Sequence, residues 1–94
     1  MKYVEINMTH TTGIKTFIWF DTPAAAADAA LNSKDFNSED DQCSLFLLID
    51  SDGDKNWAIC TGDAGVHCTI ESARDAEAWF EDDWADTTNK SLAE

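Results

Sequence analysis

Ninety-four residues, 44% hydrophobic and 11% aromatic, suffice for one domain around one modest core, which excludes wholesale disorder and a catalytic domain joined to a regulatory one. Nineteen acidic residues against six basic ones leave a net charge of −13, which excludes direct binding to nucleic-acid phosphates or anionic lipid and makes a basic protein the natural partner.

Residues 3–9 alternate, with Val4, Ile6 and Met8 on one side and Tyr3, Glu5 and Asn7 on the other. That is the period of a half-buried strand and not the unbroken apolar stretch of a signal peptide. His10-Thr11-Thr12-Gly13 supplies a turn. Residues 14–20 follow as a second strand, with Ile14, Thr16, Ile18 and Phe20 on one face and Lys15, Phe17 and Trp19 on the other. Asp21-Thr22-Pro23 reads as a helix start, because Thr22 can cap free amides and Pro23 lacks a donor that would have no partner in the first turn. The alanine-rich first helix runs to about Leu31, and residues 33–42 are then a polar, acidic loop.

Residues 43–49 are the most continuous apolar segment and suit a central strand; the strongly apolar run within them, residues 45–49, is far below the roughly 20 residues needed to cross a bilayer. Residues 50–55 turn the chain into a hairpin whose return strand covers 56–61. After Gly62-Asp63-Ala64-Gly65, the alternation of Val66, Cys68 and Ile70 gives a fifth strand. Ser72-Ala73-Arg74-Asp75 resembles a capping box, and Ala73, Ala76, Phe80 and Trp84 recur at helical steps, which predicts a second helix over residues 73–86. Trp57 and Trp84 are assigned to the core. The expected class is α+β: one domain over 1–86, an antiparallel sheet of about five strands in the order β-β-α-β-β-β-α, both helices on one face, and a flexible tail over 87–94.

The charge is unevenly placed. Residues 1–34 are neutral, and residues 35–94 carry sixteen acids against three bases, the whole excess. Solubility asks only for a magnitude of about 2–8 on a small domain. On a helix over 73–86, steps of about 100° put Asp75, Asp82 and Asp86 within about 40° of one another, with Asp83 and Trp79 beside them. Asp75 to Asp82 then spans about 10 Å and Asp82 to Asp86 about 6 Å, spacings able to meet basic groups that bind successive phosphates. Asp35, Glu39, Asp40 and Asp41 add a second acidic patch. A solvated helix face and an ordinary exposed loop are the plain alternatives. Trp79, at the edge of the ridge, is the candidate apolar anchor or, more simply, a partly buried boundary residue.

Sites for chemistry fail on spacing. Asp50-Ser51-Asp52-Gly53-Asp54 begins like an EF-hand loop, but Lys55 takes the glycine position and Thr61 the position of the bidentate acid. Cys43, Cys60 and Cys68 are an odd number without CxxC spacing, which suits free, mostly buried thiols in a reducing cytoplasm. Strand alternation sends His67 and Cys68 to opposite faces, against a zinc site, and the strong negative charge opposes thiol catalysis. No catalytic residue, metal or cofactor is expected.

A short acidic chain with acids concentrated over residues 35–86 resembles, at the level of class, the small phage-encoded DNA-mimic inhibitors, including anti-CRISPR and anti-restriction proteins. The resemblance implies an inhibitor, not an enzyme, that acts in the host cytoplasm on the basic nucleic-acid-binding surface of a defence effector. An immunity protein or antitoxin against a basic nuclease is the alternative. A small enzyme or metal-binding module and a salt-adapted surface without a partner are further readings.

Overall fold

The N-terminal alternation pairs with its neighbour. In the computed structural model of the protein, which describes residues 2–7, 14–61, 65–81 and 90–93, strand β1 (Lys2–Asn7) runs antiparallel to β2 (Ile14–Trp19), with Val4 opposite Phe17. Thr22 caps helix α1 (Pro23–Leu31) by accepting the Ala25 amide at 3.1 Å, with Pro23 in the first turn. Strand β3 (Gln42–Ile49) then pairs with β4 (Lys55–Cys60) through the hairpin and with β5 (Val66–Thr69) on its other edge, both antiparallel.

The sheet differs from the expected one. The described residues form two three-stranded antiparallel sheets, in the orders β2-β1-β6 and β4-β3-β5, where β6 is Lys90–Ala93. The stretch that forms β6 lies in the segment expected to be a tail. It pairs with β1, Val4 opposite Leu92, and its one strongly apolar residue is too little pattern to signal a strand, since backbone pairing and not alternation recruits it. A bridge between Phe20 and Trp57, whose amides and carbonyls exchange hydrogen bonds of 2.9 and 2.8 Å, joins the end of β2 to β4.

The expected long second helix is also corrected. The chain forms α2 (Ile70–Arg74) and α3 (Ala76–Trp79), broken at Asp75, and Phe80 is extended with φ −77° and ψ 133°. The cap is Thr69, whose hydroxyl accepts the Ser72 amide at 3.1 Å, so Ile70 opens the helix instead of ending the strand. The acidic run from Glu81 gives the reason for the early stop: carboxylates at a helix C-terminus oppose its dipole. Turning out at Phe80 lets that ring pack edge-on to Trp57, centroids 5.6 Å apart. Trp84, expected in the core, lies outside the described residues.

Residues 44–48 of β3 are buried along both faces. Leu45 and Leu47, with Trp57, meet Ala26, Ala27 and Ala30 of α1 and Ile70, Ala73 and Ala76 of α2 and α3, so α1, α2 and α3 cover one face. Phe46 and Leu48, with Ala58, meet Phe17 and Trp19 of β2 on the other. Fully burying each leucine contributes about 1.5–3 kcal/mol. The alanines of α1 lie close to the sheet, and what they forgo in area is supplied by Trp57, which is 1% exposed. Trp19 is equally enclosed, and its indole N–H has no partner among the described residues.

Candidate interaction surface

The acidic loop docks on helix α2. The loop over residues 35–41 is held from within by Asp41, whose Oδ2 accepts the amides of Asn37 at 2.7 Å and Ser38 at 3.2 Å. It is held from outside by α2: the Ile70 amide donates to the Asp41 carbonyl at 3.1 Å and the Glu71 amide to the Glu39 carbonyl at 2.9 Å. The free amides of a helix start thus find partners in the loop, and the loop carboxylates are carried to the helix.

Arg74 ties the two together from the last turn of α2. Its guanidinium bonds Asp28 of α1 through Nη1 and Glu39 of the loop through Nε and Nη2 at 3.2 Å. The Asp28 carboxylate, with Glu39 next to it, raises the Arg74 pKa above its ordinary value. Exposed Asp28 of α1 and Glu39 of the loop therefore meet at one cation on α2, while Asp35 and Asp40 in the loop, Glu71 in α2 and Asp75 in the break are exposed on the same elements. Solvent screens these exposed pairs, so they position the loop more than they stabilise the fold.

The ridge expected on one long helix has another form. Asp75 sits in the break, at the cap of α3, where its side chain makes no capping bond. Asp82, Asp83 and Asp86 lie outside the described residues, and the regular rise assumed between Asp75 and them stops at Phe80. Asp35, Glu39 and Asp40 are exposed and Asp41 is half-buried. Trp79 is 38% exposed, stacks at a tilt against Phe80 with centroids 5.8 Å apart, and donates its indole N–H to the Ser72 carbonyl at 2.8 Å. It is a partly exposed boundary residue that can still meet a partner. Asp28 and Arg74 were not singled out by sequence reasoning. Their contacts join positions 46 and 35 residues apart, and no local pattern marks such a pairing.

The hairpin tip at Asp50 is a built turn. Asp50 Oδ1 accepts the amides of Asp52 at 2.9 Å and Asp54 at 3.0 Å, and Gly53 adopts φ +85°. One carboxylate oxygen each from Asp50, Asp52 and Asp54 lie within 4.8 Å of one another, but the Asp50 side chain is engaged in the turn's own amides and in Asn56, 3.4 Å from its Oδ2.

Among the described residues no helix is long and apolar enough to cross a membrane. No protein-family model, curated protein or solved structure matches the chain.

Proposed function

We propose that this protein is a stoichiometric binding protein, not an enzyme, that lays the acidic surface around Arg74 against the basic, nucleic-acid-binding face of a partner protein. The observation that carries the reading is the convergence of exposed carboxylates from α1 and the 35–41 loop on α2, held by Arg74 and by two backbone hydrogen bonds. A loop pinned in this way presents its charge without first paying the full entropy of ordering. Opposite charge then speeds encounter, and screening makes the affinity fall as salt rises. Trp79 at the edge supplies apolar area of the kind that anchors interfaces.

The partner class is a protein whose groove reads nucleic-acid phosphates, such as a bacterial defence effector, with the cytoplasm as the place of encounter. The protein competes with duplex DNA for that groove and does not itself bind DNA. The test is capture from nuclease-treated lysate on the immobilised protein, followed by elution with duplex DNA. The expected result is a basic nucleic-acid-binding protein released by the duplex and retained weakly by an Asp35→Asn, Asp40→Asn, Asp75→Asn variant. Retention that the duplex does not displace, or equal retention by the variant, would overturn the reading. A small nuclease as the only captured protein would favour an immunity role.

A further inference from the structure

Cys43 of β3 and Cys68 of β5 stand opposite each other in the antiparallel register, and their sulfurs are 3.8 Å apart. Their backbone relation follows from the neighbouring bond between the Ile70 amide and the Asp41 carbonyl. Antiparallel ladders alternate hydrogen-bonded and non-bonded pairs, so two steps along from Asp41 and Ile70 the two cysteines form a hydrogen-bonded pair, with Cα atoms about 5.5 Å apart. Disulfides span Cα separations of about 4.4–6.8 Å. Side-chain rotation and a slight approach of the strands close the remaining gap to a bond of about 2.05 Å.

We propose that Cys43 and Cys68 are a redox pair, oxidised by a low-molecular-weight disulfide such as glutathione disulfide to a reversible cross-strand disulfide. The two sulfurs are unequal. Cys68 is the more exposed, and a hydrogen bond from the Cys43 thiol lowers its pKa; the same bond, together with burial, pushes Cys43 up. Cys68 is therefore the attacking thiolate and Cys43 the resolving thiol.

The Cys68 thiolate attacks one sulfur of glutathione disulfide, forming a mixed disulfide and expelling one glutathione thiolate. Cys43 gives up its proton and attacks the Cys68 sulfur, expelling the second glutathione. The protein loses two electrons and two protons, and the reagent becomes two molecules of glutathione. Cys60 is close enough to Cys43 to help raise its pKa but is not its register partner: it lies on β4 opposite Ser44 and packs against the cluster on the other face of β3. Oxidation locks the ladder step beside the Asp41–Ile70 bond, where the acidic loop docks on α2. This inference does not depend on the partner-binding reading.

The test exposes the native, reduced protein to glutathione disulfide, blocks remaining thiols with N-ethylmaleimide at low pH and maps the peptides by mass spectrometry. The expected product is a monomer with Cys43 linked to Cys68 and only Cys60 alkylated, restored by dithiothreitol. Cys60→Ser gives the same bond, and Cys43→Ser stops with one glutathione on Cys68. Parent protein in which Cys43 and Cys68 both remain alkylated, under conditions that oxidise the urea-unfolded chain, overturns the proposal. So does a linkage through Cys60 or between chains.

Discussion

Adding one methyl group at Gly65 and at Gly53 separates backbone strain from packing. Both residues hold a positive φ, +83° and +85°, so alanine at either position incurs the left-handed penalty of about 1–2 kcal/mol, offset in part by a less flexible unfolded chain. At Gly53 nothing lies within 4 Å of the added carbon, and the loss should be about 1 kcal/mol. At Gly65 the same carbon falls 2.9 Å from the Leu45 carbonyl oxygen and 2.9 Å from Phe46 Cζ. Neither neighbour yields easily, since the backbone at Leu45 is in the central strand and the Phe46 ring is held against Phe17, centroids 4.6 Å apart. Overpacking of this kind adds about 1–3 kcal/mol. Urea unfolding read by tryptophan fluorescence measures the difference. With a slope of about 1 kcal/mol/M, the Gly65→Ala midpoint should fall below that of Gly53→Ala by about 1–3 M. Coincident midpoints would refute the close approach of Gly65 to β3.

Leu45→Ala, at a fully enclosed position between helices and sheet, should lose about 2–5 kcal/mol by urea titration, and a loss below 1 kcal/mol would place Leu45 outside the core. Asp41→Ala removes the acceptor of two loop amides and should lose about 1 kcal/mol, with faster amide exchange at Asn37 and Ser38; unchanged exchange would show that the loop is held without it. The triple change Asp35→Asn, Asp40→Asn, Asp75→Asn should leave the thermal midpoint level or raised through relief of self-repulsion, while partner affinity drops and its salt dependence flattens; a lowered midpoint would mean that these acids serve the fold. Trp79→Phe removes the bond to the Ser72 carbonyl and should cost about 1 kcal/mol of stability, whereas a loss of about 2 kcal/mol or more in partner affinity on Trp79→Ala would mark an anchor.

Much of the local structure was legible because its causes are local. Thr22 and Pro23 start α1 by a cap and a missing donor, alternation marks β1 and β2, and the apolar run at residues 43–49 announces a central strand covered on at least one face, where the structure covers both. The net charge and its absence from the first third of the chain were equally plain. The second helix misled because Ala73, Ala76 and Phe80 keep helical spacing even though the chain breaks at Asp75 and turns out at Phe80, a choice made by the ring of Trp57 and by the acids that follow. Strand β6 escaped notice because its partner, β1, lies at the far end of the chain and supplies the pairing that its own composition does not advertise. Long-range pairing also decided the two features on which function is proposed here. Arg74 reaches Asp28 and Glu39 only after α1, the loop and α2 have packed, and Cys43 meets Cys68 only once β5 has added to β3. Composition set how much charge the molecule carries, whereas tertiary packing set where it converges, because short-range periodicity encodes which face of an element is buried and contains nothing about which distant element will cover it.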